Sequence, residues 1–364
     1  MAKTKTDTTA AKKPKTVPLK IRRQRSQIAI IHAQHVYADG DVDGARQIVI
    51  DAIREHWTSF LLWSELGAMM SCHEDFDLVY DLWLSAPKQI VQSYSALRAV
   101  ARAACITGHT DEGRILLRRM ITIEYKKAAE RAKDSAIVQD TPEPDSDFST
   151  NAIIALRDLY TAFQDLPTPF IVSGTLLGLV REGDFISWDK DIDVGIFCDN
   201  DQAPMIEEKL RSDPHFSVRK VDLTAVRIRL VHNNKTMVDV FPHYRDPTQD
   251  IIWHDGSATR WWNSPFGIKP AEFLGETVMI PDNPELYLDE NFGDWRTPVS
   301  MFDARLDTPN LQVTDPEYLV SLHYFSLVDA IRKNKPVLQE RYAKMLAEIE
   351  NDTWFLKFAG FAAA

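Results

Sequence analysis

The spacing of apolar positions changes along the chain. From about residue 26 to residue 133 they recur with helical period, as at Ile28, Ile31 and Val36 and again at Ile48, Val49 and Ile53. That is the stripe an amphipathic helix buries. Helix starts stand at Asp43-Gly44, Asp77-Leu78 and Glu112-Gly113, each after a turn (ADGD, SCHED and TGHT), at steps of 34 and 35 residues. A period near 34 with two helices per unit predicts a tetratricopeptide-like region over 26–133. Such a region either offers a groove to a protein partner or packs on its neighbour. Residues 134–149 carry five acids, no bases, and Pro142 and Pro144, which predicts a linker.

Past the linker the period shortens. Phe170-Ile171-Val172 is an apolar run that suits a buried strand, and it ends in Ser173-Gly174-Thr175 before the helical spacing of Leu176, Leu177, Leu179 and Val180. A small-residue turn between strand and helix can aim backbone N–H groups at a phosphate. Acids and apolar residues alternate over 189–197, which predicts another strand. Asp315-Pro316-Glu317 predicts a helix start, and helical period continues to about residue 358. The expected fold is α+β: an all-α repeat region over 26–133, a mixed-sheet catalytic domain over 150–310, and helices over 311–364 packed on it.

Composition narrows the function. Of 364 residues, 45% are hydrophobic and 26% charged, and the formal net charge is −11. That suits a globular protein with a sizeable core and argues against binding nucleic acid through bulk positive charge. No apolar run reaches the ~18 residues of a membrane span. Cys72, Cys105 and Cys198 are too few and too scattered for a disulfide framework or a zinc ribbon, and a reducing compartment is the default. The charge is uneven: residues 1–25 hold nine Lys or Arg and one acid, a net +8, leaving −19 for the rest. This segment lacks the apolar stretch of a secretory signal and reads as a disordered basic tail over 1–25. The absence of an export signal predicts a cytoplasmic protein working on a precursor at the inner membrane face.

The acids carry the chemistry. Period 2 points Asp191 and Asp193 to one face of their strand and Ile192 and Val194 to the other. Two carboxylates ~7 Å apart are costly to bury without a cation between them, and hard divalent ions, Mg²⁺ above all, suit oxygen ligands. An EF-hand loop spaces acids similarly, but its sixth position here is Val194 and its twelfth Asn200, so it is rejected. Asp239 lies in the apolar run Met237-Val238-Asp239-Val240-Phe241. It either caps a turn, pairs with Arg227 or Arg229, or adds a third carboxylate to the pair. The Gly-Thr turn, the paired acids and a third acid on a neighbouring strand together predict the nucleotidyltransferase fold. His32 and His35 share a helix face without companion ligands, so no zinc site is expected.

The stretch GTLLGLVREGDFISWDKDIDVGIF resembles the signature of the LicD and fukutin-related family. VDVFPHY at 238–244 is similar to the family's second segment. FLGETVMIPDNPELYLDENFGDWRTP at 273–298 is similar to its third, with Phe292 where Tyr is usual. The resemblance covers about 150–300. It implies a transferase that moves a phosphorylated alcohol (phosphocholine, glycerol-phosphate or ribitol-phosphate type) from a CDP-linked donor to a glycan or lipid-linked glycan hydroxyl, releasing CMP. Mg²⁺, with Mn²⁺ as a substitute, would lie on Asp191 and Asp193 with Asp189 as a further ligand. Asp239 would be either a ligand or the general base. Gly174 and Thr175 would offer donors to the donor phosphate, and Arg181 would clamp it. Lys190 should leave the opposite face of the strand. The tryptophans of 253–266 either stack on a cytidine or sugar ring or fill a core hairpin. Tyr287 and Trp295 read as packing residues. Two competing expectations are a nucleotidyltransferase releasing pyrophosphate and a non-enzymatic repeat scaffold with a degenerate catalytic domain.

Overall fold

A computed structural model describes residues 18–70, 73–87, 94–134, 147–187, 189–199, 201–219, 227–299 and 301–360. Six helices come first: α1 (Leu19–Ala38), α2 (Val42–Glu55), α3 (Phe60–Ala68), α4 (His73–Leu84), α5 (Tyr94–Ile106) and α6 (Thr110–Asp134). Helices α2, α4 and α6 begin close to the expected starts. Their first described residues lie 31 and 37 apart, against 34 and 35 for the sequence motifs. α1 begins at Leu19, which places Lys20, Arg22, Arg23 and Arg25 in a helix and not in the expected tail. The reason is that the buried stripe continues: Ser26 and Ala33 are buried and Ala29, Ile30, Val36 and Tyr37 pack against the helical core. The rest of the tail (1–17) and most of the expected linker (135–146) lie outside the described residues.

The second half is mixed α/β. It runs α7 (Phe148–Ala162), β1 (Phe170–Ile171), α8 (Ser173–Glu182), β2 (Asp191–Phe197), α9 (Ala203–Arg211), β3 (Phe216–Arg219), β4 (Ile228–His232) and β5 (Met237–Asp246). There follow β6 (Ile251–Gly256), β7 (Thr259–Asn263), β8 (Ile268–Phe273), β9 (Glu276–Pro281), α10 (Pro284–Phe292) and β10 (Leu311–Val313). The chain closes with α11 (Pro316–Arg332), α12 (Pro336–Ile349) and a 3₁₀ turn at Thr353–Phe358.

The main sheet has the order β1-β2-β5-β6-β7-β10, with β4 also paired to β5 and β3 to β4; β8 and β9 form a separate hairpin. β2 and β5 are parallel and the other pairs antiparallel. β5 is long enough to pair with β2 and β4 through its first part and with β6 through its last. Ile192, Val194, Val238 and Val240 are fully buried in the core beneath β2 and β5. Gly195 is required by a close approach: a Cβ there would meet the Phe170 ring at 2.5 Å and His243 at 2.7 Å. The start of α11 is capped as its sequence predicts, with Asp315 accepting from the Tyr318 amide at 2.9 Å and Pro316 in the first turn.

The C-terminal helices do not cover the catalytic sheet as expected. α11 runs along α6, and the buried residues of α11, α12 and the 3₁₀ turn join those of α2–α6 in one core, while α7 to α10 and the strands form another. Polar pairs hold this seam: Arg118 bonds Asp352 at 2.6 Å, Arg114 bonds Glu317 at 2.8 Å, and the Tyr94 hydroxyl donates to Asp329 at 2.7 Å. Among the described residues no helix is long and apolar enough to cross a membrane.

Candidate active site

Strand register builds the acidic cluster. Asp193 on β2 lies directly opposite Asp239 on β5, and Asp239 lies opposite Arg229 on β4. Directly paired residues share a sheet face, so an Arg–Asp–Asp row crosses three strands. Asp191, two residues before Asp193, joins the same face. Asp191, Asp193 and Asp239 each offer an oxygen, all within 4.8 Å of one another. The other face is apolar core, which fixes the register.

The pairing and third-carboxylate readings of Asp239 coexist. Its carboxylate is almost wholly buried. The Arg229 fork grips it through Nε at 2.6 Å and Nη2 at 2.5 Å, and Arg227 Nη1 adds a contact at 2.9 Å. Arg229 Nη2 also stands 3.9 Å from Asp191 Oδ2. This bond to Asp239 holds the Arg229 guanidinium above its usual pKa. A carboxylate whose oxygens are taken up by two guanidiniums is fixed in orientation and has little room to accept a further proton donor, which suits an anchor of the cluster.

The remaining acids carry the electrostatic load. Burial first, and then the Asp191, Asp239 and Asp189 charges, push Asp193 well above the usual carboxylate range. Burial and then Asp239 raise Asp191. Burial, with Asp191 and Glu182 behind it, lifts Asp189 to about 7. Counter-charge is short on this side, and the donor set of hard oxygens fits a divalent cation.

The strand-to-helix turn serves the cluster. The Gly174 amide donates to Asp193 Oδ2 at 3.3 Å, and a Cβ on Gly174 would stand 3.1 Å from Asp189 and 3.6 Å from Asp193. Ser173 before it takes a left-handed φ of 48°. Thr175 differs from expectation: it is fully buried and its hydroxyl accepts the Asp193 amide at 2.9 Å. It ties α8 to β2 and cannot reach a phosphate. Arg181 reaches the cleft, but its guanidinium bonds the Trp295 carbonyl at 3.1 Å and Glu182 at 2.7 Å. Lys190 is exposed; Trp188, in the signature stretch, lies outside the described residues.

Beside the cluster opens a cleft of about 540 Å³. Asp189, Asp193 and Gly174 line one part, and Arg181, Arg227 and Arg305 bring positive charge to it. His254 and Trp261 line another part. Trp261 stacks on His254 at 5.2 Å, and His254 on His243 at 4.7 Å. Burial pushes His243 down to about 4 and His254 well below the usual histidine range, so both imidazoles are neutral. His254 Nδ1 is buried with no hydrogen-bond partner. The hairpin expected over 253–266 is β6–β7. It divides its tryptophans: Trp253 is buried, Trp261 faces the cleft and Trp262 is partly exposed. Tyr287 and Trp295 are buried as packing residues, though Trp295 and Phe292 also reach the cleft edge. Sequence reasoning missed His254 and Arg305; scattered histidines and a lone arginine carry no spacing signal.

Residues 168–283 match the nucleotidyltransferase domain of LicD/FKTN/FKRP proteins. The chain carries a domain of the LicD and fukutin-related family. The chain is 28% identical over 206 residues to ribitol-5-phosphate transferase FKTN of Mus musculus, a match covering 53% of this chain and 43% of that protein. Ribitol 5-phosphate transferase FKRP of Mus musculus is 27% identical over 136 residues, covering 34% of this chain and 27% of that protein. The matches thus span less than half the length of these relatives. A solved structure of lincosamide antibiotic adenylyltransferase LnuA covers 38% of this chain and 83% of its own at 14% identity and a TM-score of 0.28, a likeness too slight to bear on the fold. All three acids of the cluster lie inside the LicD-type domain.

Proposed function

We propose that the protein is a divalent-metal-dependent transferase that moves a phosphorylated alcohol from a CDP-linked donor to a glycan hydroxyl and releases CMP. The observation that carries this reading is the crowding of Asp191, Asp193 and Asp239 within 4.8 Å beside a cleft that Asp193 lines, in a LicD-type domain. Asp191 and Asp193 would hold Mg²⁺, with Asp189 beside them and Asp239 fixed by its arginines. When bound, the ion supplies charge neutralisation for the diphosphate and the leaving group.

The chain's own residues do the rest. Arg227 and Arg305 face the cleft and would draw a diphosphate toward the cluster. The Trp261 ring would stack on the cytosine. The neutral His254 ring, stacked on Trp261, would back that platform. Arg229 holds Asp239 in place through both oxygens, so the geometry of the cluster is set before substrate arrives.

A CMP-release screen over CDP-ribitol, CDP-glycerol and CDP-choline with a glycan acceptor and Mg²⁺ tests the reading. CMP should appear with one of the donors and disappear in Asp191→Asn. Pyrophosphate from a nucleoside triphosphate in place of CMP would move the protein to nucleotidyl transfer. Folded protein that binds Mg²⁺ and donor yet releases neither would refute both.

A further inference from the structure

Helix α1 is apolar on two opposite sides. Toward the helical core it turns Ala29, Ile30, Ala33, Val36 and Tyr37. A surface helix ordinarily keeps its other side polar. Here that side carries, along with the exposed Gln24 and His35, the apolar Ile21, Ile28 and Ile31, which are 44%, 60% and 55% exposed. At 3.6 residues per turn these three fall within about a quarter of the helix circumference. Lys20 and Arg25 flank the stripe on either side, with Arg23 beyond Lys20. Between Leu19 and Ala38 there is no Asp or Glu, in a chain of net charge −11.

We propose that this outward face of α1 docks on an anionic lipid bilayer, with the three isoleucines entering the boundary between headgroups and acyl chains and the flanking bases meeting lipid phosphates. An amphipathic helix with bases beside an apolar stripe lies in the plane of such a surface. Each base near it contributes about fivefold in affinity. The sequence before α1 adds Lys3, Lys5, Lys12, Lys13 and Lys15 against Asp7. Nucleic acid is a poorer occupant, because a phosphodiester backbone gives exposed isoleucines nothing to bury against. A second copy is poorer too, because a two-fold contact sets each patch against itself and would face Lys20, Arg23 and Arg25 with the same bases. The inference does not depend on the transferase reading.

Flotation of the full chain with vesicles at near-physiological salt tests it. The protein should partition onto phosphatidylcholine–phosphatidylglycerol vesicles and not onto phosphatidylcholine alone. The variant Ile21→Ser/Ile28→Ser/Ile31→Ser should bind at least about tenfold more weakly, and Lys20→Gln/Arg23→Gln/Arg25→Gln about a hundredfold more weakly. Both should keep the wild-type unfolding midpoint, since the changed side chains are exposed. Failure of the wild type to partition overturns the proposal. So does an isoleucine variant that binds as the wild type, which would mark a site for any polyanion. A variant that only turns a dimer into a monomer in sedimentation overturns it as well.

Discussion

Asp193→Asn should make the metal-free protein more stable, although it alters a residue at the centre of the proposed site. Its carboxylate sits with Asp191 and Asp239 oxygens inside 4.8 Å. At an effective dielectric of ~20, two unit charges at that distance repel by about 3.5 kcal/mol. The two arginines on Asp239 offset part of this, and a proton taken up by the cluster caps it. Holding a proton at pH 7 on a group that ionises near 3.8 when unfolded costs about 4 kcal/mol. Asparagine removes the charge while its carbonyl can still accept from the Gly174 amide. After the desolvation of the new amide, a net gain of about 1–3 kcal/mol is expected at pH 7.

The pH dependence has a definite sign. The folded-state pKa of Asp193 is raised above its unfolded value. Its contribution is therefore fully present below about 3.8 and lost as pH rises toward the folded value, a range that Asp189, at about 7, extends to neutrality. The advantage of the variant should be largest at pH 7–8 and shrink toward pH 4. Urea unfolding in EDTA at both pH values measures this. Added Mg²⁺ should raise the wild-type midpoint and move that of Asp193→Asn much less. A variant destabilised by more than about 1 kcal/mol at pH 7 would refute the crowding argument, as would an equal response of both proteins to Mg²⁺.

What the sequence disclosed follows from what periodicity can encode. Alternation over 191–197 places Asp191 and Asp193 on one face because the opposite face, Ile192 and Val194, is buried. Phe170-Ile171 and the turn at Ser173-Gly174 were equally legible. Partners across strands were not. That Arg229 lies opposite Asp239 is a register fact with no local signature, and β5, set between β2 and β4, lets Asp239 serve the acid cluster and the arginines together. Burial of α11 was readable from its apolar spacing, but the stripe does not say what covers it, and the cover is α6. The four bases at 20–25 masked the continuation of a buried stripe into α1, so that end of the helix read as tail. Thr175 looked like a ligand donor because small polar residues after a strand often are; here the Asp193 amide takes its hydroxyl.

Further tests follow from single contacts. Thr175→Val leaves the buried Asp193 amide without an acceptor and should cost about 1–3 kcal/mol in urea unfolding. Arg118→Ala removes the Asp352 bond and the guanidinium lying over Trp354 and Phe355. It should cost about 1–2 kcal/mol and shift the Trp354 fluorescence. Trp261→Ala should raise the KM for a CDP-linked donor about tenfold with little change in kcat, if cytosine stacks there. Asp239→Asn makes the same change of charge and size as Asp193→Asn in the same cluster, yet it should act in the opposite direction. Asp239 is the acid that the Arg229 fork and Arg227 neutralise, so its loss strands two half-buried guanidiniums and should destabilise by about 3–5 kcal/mol. Adding Arg229→Met should recover part of that loss, because one of the stranded charges goes with it. If Asp239→Asn instead stabilises as much as Asp193→Asn, the arginine pair is not the anchor of the cluster, and the assignment of separate roles to the two acids falls.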